Sequence, residues 1–311
     1  MIKRRIIIAG PTASGKTELS LRAATRLGAE IISVDSRQCY RFLDIGTAKP
    51  GSPELARVPH YNVSVLDPSE KDSAARFSER AGQYVTYIES KGKRVLFCGG
   101  STLHLQSLIQ PLDHIPESDP IILEELSEVA AAKGIESLYE ELLQADPDYA
   151  GKMDGKNYQR IIRALSVWKQ TGIPFSHFHT AKSVSLPKAL DLFLIHRERA
   201  ELHERISERT DRMIRDGFTN EVIELLKMGY QPKLQSLRTV GYKEAIAYLQ
   251  GDITHTQMVS DIKTATRRYA KRQITWFRKW DFATVLNLSE LSMDEAVNQI
   301  TEQVAAKEQK P

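Results

Sequence analysis

Eight consecutive residues, Gly10-Pro11-Thr12-Ala13-Ser14-Gly15-Lys16-Thr17, fit the pattern G-x-x-x-x-G-K-[ST]. The glycines of such a loop let backbone N–H groups converge on an anion, and the helix that follows adds the partial positive charge of its N-terminus. Lys16 reaches a phosphate as a point charge. The Thr17 hydroxyl suits either Mg2+ or a phosphate oxygen. The motif asks for a diphosphate-bearing ligand and leaves open which one.

Asp35-Ser36 follows an apolar run that reads as a strand, which puts a carboxylate at the sheet edge where ligands bind in open α/β folds. There Asp35 can hold Mg2+ or take a proton from an incoming nucleophile. The competing reading is a turn cap, because Asp-Ser is common turn chemistry. In Gln159-Arg160-Ile161-Ile162-Arg163 the two arginines share a helix face, which serves a ligand or plain solvation equally well. From Lys263 to Trp280 there are seven Lys or Arg residues and no acid. Such a block can be an anion-binding face although the net charge is only +3, from 43 bases and 40 acids. Its interleaved Tyr269, Trp276 and Phe277 suit phosphate contact combined with base stacking. The same pattern also fits an amphipathic helix that buries Tyr269, Ile274 and Phe277 and solvates its charges.

Hydrophobic periodicity supplies the elements that must position these groups. Arg4–Ala9 reads as a strand entering the glycine-rich turn, and Lys16–Leu27 as a helix with Leu19, Ala23, Ala24 and Leu27 on one side. Glu30–Val34 reads as a second buried strand, Tyr61–Leu66 as a third, Ala74–Ser90 as a helix, and Arg94–Cys98 as a strand ending at Gly99-Gly100. Strands alternating with helices predict a parallel sheet covered on both faces. After Leu112 the character changes: helices are predicted over Ile121–Lys133, Glu136–Ala145 and Lys156–Thr171 before a strand at Leu190–His196. Arg199–Asp216 reads as an amphipathic helix and Ala283–Leu288 as a last strand, with a frayed polar tail from Ala305. The chain thus reads as an α/β core, residues 1–112 and 190–311, interrupted by a helical insertion at 113–189.

At 311 residues, 41% hydrophobic and 27% charged, the chain has the composition of a globular protein with a real core. Its two cysteines, Cys39 and Cys98, exclude a zinc site built from cysteine pairs and point to a reducing compartment. The apolar run near the start stops after about four residues, too short for an export segment. No stretch approaches the roughly 18 apolar residues that a bilayer span needs. A cytoplasmic protein with no membrane association is expected.

These residues, taken together, resemble the tRNA dimethylallyltransferase family (tRNA isopentenyltransferases of the bacterial form). The resemblance runs almost end to end. It rests on Gly10–Thr17, Ile32-Ser33-Val34-Asp35-Ser36 and Asp44-Ile45-Gly46-Thr47-Ala48-Lys49-Pro50. It continues through Gln159-Arg160 to Arg163-Ala164-Leu165, Arg199 with Leu202-His203 and Arg205-Ile206, Arg238–Lys243, and Ala270–Trp276. It implies a P-loop NTPase-like fold whose loop holds dimethylallyl diphosphate, with no nucleoside triphosphate consumed. The dimethylallyl group would pass to N6 of the adenosine 3′ of the anticodon, in tRNAs reading codons that begin with U.

The resemblance also implies roles. Asp35 would orient N6 and take its proton, while Lys16, Mg2+ and Arg199 would meet the charge of the departing diphosphate, with Thr17 on the diphosphate or its metal. Asp35, Ser36, Arg37 and Gln38 would line a pocket for the flipped base, and Ser101 would touch RNA. Three further segments would contact tRNA: Gln159, Arg160, Ile161, Ile162 and Arg163; Arg238, Thr239, Val240, Gly241, Tyr242 and Lys243; and Lys271, Arg272, Gln273, Ile274, Thr275, Trp276, Phe277 and Arg278. The helical insertion would grip the anticodon stem-loop, and a monomer suffices for a partner of that size.

The chain departs from the family pattern at three places. His104 stands where an aromatic is usual, Leu123 where relatives often carry Arg, and Gly151–Asn157 follows no usual pattern. Two other readings remain at this stage. A small-molecule kinase using ATP would leave the basic Lys263–Lys279 block without a task, and the insertion offers no arginine-rich lid. A non-catalytic RNA-binding protein would leave Lys16, Thr17 and Asp35 intact for no reason.

Overall fold

A computed structural model describes residues 3–179 and 186–309. The chain divides into two compact units, residues 1–110 with 185–311, and residues 111–184.

In chain order, the first unit begins with β1 (Arg5–Ala9), α1 (Lys16–Leu27), β2 (Ala29–Val34), α2 (Ser52–Arg57), β3 (His60–Tyr61), α3 (Ala74–Ser90), β4 (Arg94–Gly99) and α4 (Thr102–Ile109). The second unit holds α5 (Pro120–Lys133), α6 (Ile135–Ala145), α7 (Pro147–Ala150) and α8 (Tyr158–Thr171), followed by a 3-10 turn at Phe175–Phe178. The first unit then resumes with β5 (Leu190–His196), α9 (Arg199–Arg215), α10 (Phe218–Lys227), α11 (Tyr242–Leu249), α12 (His255–Phe277), β6 (Thr284–Asn287) and α13 (Met293–Glu308).

The six strands form one sheet in the order β3-β2-β4-β1-β5-β6, and every pairing is parallel. The near-continuous apolar strands are what a sheet covered on both faces requires. Successive side chains alternate between the faces. Ile6, Ile8, Ile31 and Leu96 pack with α1 and α13 through Leu19, Ala23, Val297 and Ile300. Ile7, Ala9, Ile32 and Phe97 pack with α3, α4 and α12 through Phe77, Val85, Leu105 and Phe277. A third cluster joins Tyr40 and Leu43 to Met213, Phe218, Val222, Tyr242 and Met258. The second unit has its own core of Leu126, Leu138, Leu142, Ile161, Leu165 and Phe175.

Two sequence expectations need correction. The third strand is only His60–Tyr61, because Asn62 and Ser64 take left-handed φ values of 59° and 54° and turn the chain away. Beyond that turn Leu66 meets Tyr40 in an isolated bridge. The tail from Ala305 is helical to Glu308 rather than frayed. Val304 is buried in the core, and Glu308 accepts hydrogen bonds from both guanidinium nitrogens of Arg94 and from Arg4 N. That polar tail is held by partners some 200 to 300 residues away in sequence, which local patterning does not reveal. Of the insertion expected at 113–189, residues 180–185 lie outside the described part.

Candidate active site

Because the sheet is parallel, the carboxyl ends of β1, β2, β4 and β5 share one edge. The register sets Ala9 beside Gly99 and Leu194, and Val34 beside Gly99. The loops leaving these strands are therefore neighbours, and they carry the phosphate motif, Asp35, Ser101 and Arg197.

The phosphate loop is shaped by close packing. A Cβ on Gly10 would stand 3.1 Å from Ile195 Cβ and 3.2 Å from Ser14 Oγ. Gly15 takes φ 100° just before α1, which leaves the helix N-terminus facing the loop. Three arginines hold the loop: Arg197 Nε donates to Ser14 O at 2.8 Å, Arg205 Nε to Ala13 O at 2.9 Å, and Arg209 Nη1 to Thr12 Oγ1 at 3.0 Å. A trans peptide points its C=O and N–H in opposite directions, so fixing Ser14 O aims the Gly15 N–H the other way. Ser14 Oγ is buried with no hydrogen-bond partner, an orphan that an anion or metal-bound ligand would satisfy. Lys16 Nζ donates to Pro11 O at 2.6 Å. Burial pulls its ammonium down to about 8, with Arg209 lowering it further and Cys98 and Asp35 opposing. Thr17 is exposed in the first turn of α1.

Asp35 does both things its sequence allowed. Its Oδ1 accepts from Arg37 N at 2.8 Å and Gln38 N at 3.3 Å, a turn cap that fixes the carboxylate. No described residue hydrogen-bonds to Oδ2. The charge of Asp35 is felt by Lys16, by Arg209 and by the phenol of Tyr269 on α12. Burial lowers the Arg209 guanidinium, and Asp35 works against that shift. Burial first and Asp35 second raise the Tyr269 phenol. One carboxylate thus sits within electrostatic reach of two cations of the phosphate site.

The wall beside Asp35 is tied down. Gln38 accepts from Ser33 Oγ at 2.9 Å and donates through Nε2 to Thr47 O at 3.2 Å and Ala48 O at 3.1 Å. Arg209 Nη2 reaches the same Thr47 O at 3.4 Å. The Asp44–Pro50 segment is nested on Glu221, whose carboxylate accepts from the N–H groups of Asp44, Ile45 and Gly46 at 2.9, 2.6 and 3.2 Å. Tyr242 donates to Glu221 at 2.6 Å. A Cβ on Gly46 would lie 2.4 Å from Phe218 and 2.6 Å from Tyr242, so only glycine allows that approach. At the end of β4, Ser101 Oγ lies 2.8 Å from His104 Nδ1. His104 keeps the ring packing expected of an aromatic there, 4.7 Å from the Phe77 ring.

The remaining sequence candidates divide by exposure. On α12, Lys271, Arg272 and Thr275 are exposed, as is Arg278 just after it, whereas Gln273 and Phe277 are buried, Ile274 and Trp276 half-buried. Phe277 packs under the sheet; its side chain is core, as the amphipathic reading held, and faces no RNA. Arg238 and Lys243 are exposed and Thr239 and Val240 half-buried, while Gly241 and Tyr242 are buried. In the second unit Gln159 and Arg160 are exposed, but Ile161 and Ile162 belong to its core. Arg163 turns inward to Ser118 Oγ at 2.5 Å and Pro116 O at 2.7 Å. Arg199 is exposed in the first turn of α9; the arginines that touch the phosphate loop are 197, 205 and 209. Sequence reasoning missed Arg209, although Arg205 and Arg209 are one turn apart beside the apolar Leu202 and Ile206.

Comparison with known proteins agrees with this geometry. The family model described as IPP transferase matches residues 38–280. A tRNA dimethylallyltransferase of Geobacter sulfurreducens is 44% identical over 276 residues, 88% of each chain. One of Salinibacter ruber is 42% identical over 277 residues, covering 89% of this chain and 85% of its own. The crystal structure of the tRNA isopentenylpyrophosphate transferase from Bacillus halodurans superposes with a TM-score of 0.71 at 35% identity, covering 98% of this chain and 96% of that one. A eukaryotic dimethylallyltransferase acting on tRNA superposes with a TM-score of 0.80 at 26% identity, over 98% of this chain and 79% of that one.

Proposed function

Because the chain belongs to the IPP transferase family, we propose that it transfers a dimethylallyl group from dimethylallyl diphosphate to tRNA. The acceptor is N6 of the adenosine 3′ of the anticodon, in tRNAs reading codons that begin with U. The observation that carries the reading is the Asp35 carboxylate, its Oδ1 fixed in the turn and its Oδ2 engaged by no described residue, on the sheet edge that also carries the phosphate loop.

The reaction forms a bond between N6 and C1 of the dimethylallyl group and breaks the bond from C1 to the diphosphate oxygen. N6 is a weak nucleophile, so Asp35 orients it and takes its proton as the new bond forms. The free Oδ2 is the oxygen available for this, since Oδ1 is engaged in the turn. Negative charge gathers on the departing diphosphate, where the loop N–H groups, Lys16 and Arg209 stand already oriented. Arg199, exposed in the first turn of α9, is left as a second source of positive charge for the diphosphate in this reading.

Among the described residues no group of three His, Cys, Asp or Glu side chains forms a cation cage. The residues present fit Mg2+, which keeps its waters and binds through substrate phosphates with one or two protein oxygens; Thr17 Oγ1 would be the protein oxygen that holds it. When bound, Mg2+ supplies neutralisation of the diphosphate charge.

The target base leaves the anticodon-loop stack at a cost of about a few kcal/mol. Ser36, Arg37 and Ser101 flank its path beside Asp35. The exposed Lys271, Arg272 and Thr275 of α12 and Arg278 just after it, with Arg238 and Lys243, supply the phosphate contacts. The helical unit grips the stem-loop through Gln159 and Arg160. No described helix is long and apolar enough to cross a membrane; the reading is of a cytoplasmic monomer.

The test is incubation with Mg2+ and an unmodified anticodon stem-loop carrying adjacent adenines, with labelled dimethylallyl diphosphate and, separately, labelled ATP. Prenyl label on the RNA without ATP is the expected result. No RNA label, with phosphate released or moved from ATP, would reject the reading in favour of a kinase.

A further inference from the structure

Gln273 lies on α12 between exposed basic residues, yet it is only 2% exposed itself. Its amide is spent at both ends. Oε1 accepts from Thr12 N at 2.9 Å, inside the phosphate loop, and Nε2 donates to Gly100 O at 2.7 Å, beyond β4. The neighbouring chain is cut away to admit it: a Cβ on Gly100 would stand 2.5 Å from Gln273 Nε2. The peptide that Gln273 holds joins Pro11 to Thr12, and the carbonyl of that same peptide receives Lys16 Nζ at 2.6 Å. A planar peptide moves as one body. Fixing its N–H therefore fixes the oxygen on which Lys16 rests.

We infer that Gln273 is a positioning residue of the donor site, a two-ended strut that sets the Pro11–Thr12 peptide, and through it Lys16, in register with the RNA-facing helix. The register with RNA rests on the function proposed above; the grip on the phosphate loop does not. Gln273 removes the Thr12 N–H from the set offered to a ligand and decides where the lysine waits. The preceding residue on the helix, Arg272, is exposed, so one turn of α12 carries an outward charge and an inward contact.

The test measures inorganic diphosphate binding in the presence of Mg2+ and, separately, anticodon stem-loop binding, on the full chain. Gln273→Met keeps the size and removes both hydrogen bonds. It should weaken diphosphate about tenfold or more while stem-loop affinity and its salt slope stay put. Gln273→Glu supplies a second readout. Its neutral acid can accept from Thr12 N–H and donate to Gly100 O, whereas its carboxylate would oppose that carbonyl. Burial raises a carboxyl pKa, so the ratio of Gln273→Glu to wild-type affinity should approach one near about pH 6 and fall by about pH 7.5. Lys16, Asp35 and Arg209 are common to both proteins. If Gln273→Met does not fold, the Gln273→Glu ratio decides alone. Unchanged diphosphate binding, a ratio flat in pH, or a loss confined to RNA binding would overturn the strut. Arg272→Ala is the control for the helix face: it should weaken stem-loop binding and leave diphosphate binding unmoved. Should it leave RNA binding unmoved, the RNA-facing reading of α12 falls, while the diphosphate arm still decides the role of Gln273.

Discussion

Replacing Arg209 by methionine removes the cation that joins the phosphate loop to the wall beside Asp35. Structurally the change is mild. Thr47 O keeps its hydrogen bond from Gln38, and methionine fills much of the volume of the arginine stem. Electrically it is not. The guanidinium lies 3.0 Å from Thr12 Oγ1, in the loop proposed to hold the diphosphate. A unit charge about 4 Å from a phosphate oxygen, at an effective dielectric of about 20, is worth about 4 kcal/mol. The substrate is already anionic, so part of this is felt in the ground state. Breaking the bond to C1 adds one further negative charge, and about 2 to 4 kcal/mol then shows in the barrier. Single-turnover transfer of labelled dimethylallyl to a stem-loop at saturating donor should slow by about 30-fold to about 10³-fold. Arg209→Lys should recover only part of this, because a point charge cannot reach Thr12 Oγ1 and Thr47 O together. Arg199→Ala, measured beside it, should cost much less. An Arg209→Met enzyme within about threefold of wild type, or a larger loss in Arg199→Ala, would falsify the assignment of the diphosphate cation to α9's inward face.

Asp35→Asn keeps an oxygen for the turn to Arg37 N and removes the base; turnover should fall by about 10² fold or more with stem-loop affinity little changed, and near-normal turnover would strip Asp35 of that role. The Lys16 ammonium is held down to about 8 in the free protein, so it is charged below that pH and neutral above it. Diphosphate affinity should be full near neutrality and fall as pH rises through about 8, and Lys16→Met should abolish that limb in a calorimetric titration. Arg272→Ala should lower stem-loop affinity and reduce the slope of log affinity against log salt by about one contact; an unchanged slope would make its exposed charge a solvated helix face only.

The phosphate loop and the edge carboxylate were legible because their signals are local: glycine spacing, a strand before, a helix after. The apolar strands declared a doubly covered sheet for the same reason. Which arginines touch the phosphate loop was not legible, because several precede or lie along α9 and only the helix phase, set by burial of Leu202, Ile206 and Met213, turns residues 205 and 209 inward. The basic stretch of α12 shows the converse. Its inward side packs in the core, and its outward side carries the charges left for a ligand. Gln273 had no sequence signal at all, since its partners lie 261 and 173 residues away. Glu221 was hidden likewise, being a surface-type residue whose carboxylate is claimed by three amides from a distant loop.

The pairing of Arg4 with Glu308 spans 304 residues, and it gives the order of synthesis a role in folding. At about 5 to 20 residues per second, roughly 15 to 60 s separate the appearance of these two residues from a ribosome. For the first part of that interval β1 can pair with β4, while its other neighbour, β5, is still unmade. The side of α1 and β1 that α13 later covers with Val297, Ile300 and Val304 stays wet and apolar throughout. The nascent protein therefore carries its phosphate loop before Arg197, Arg209 and Gln273 exist to hold it, and α13 is the latch that covers the apolar side of the completed sheet.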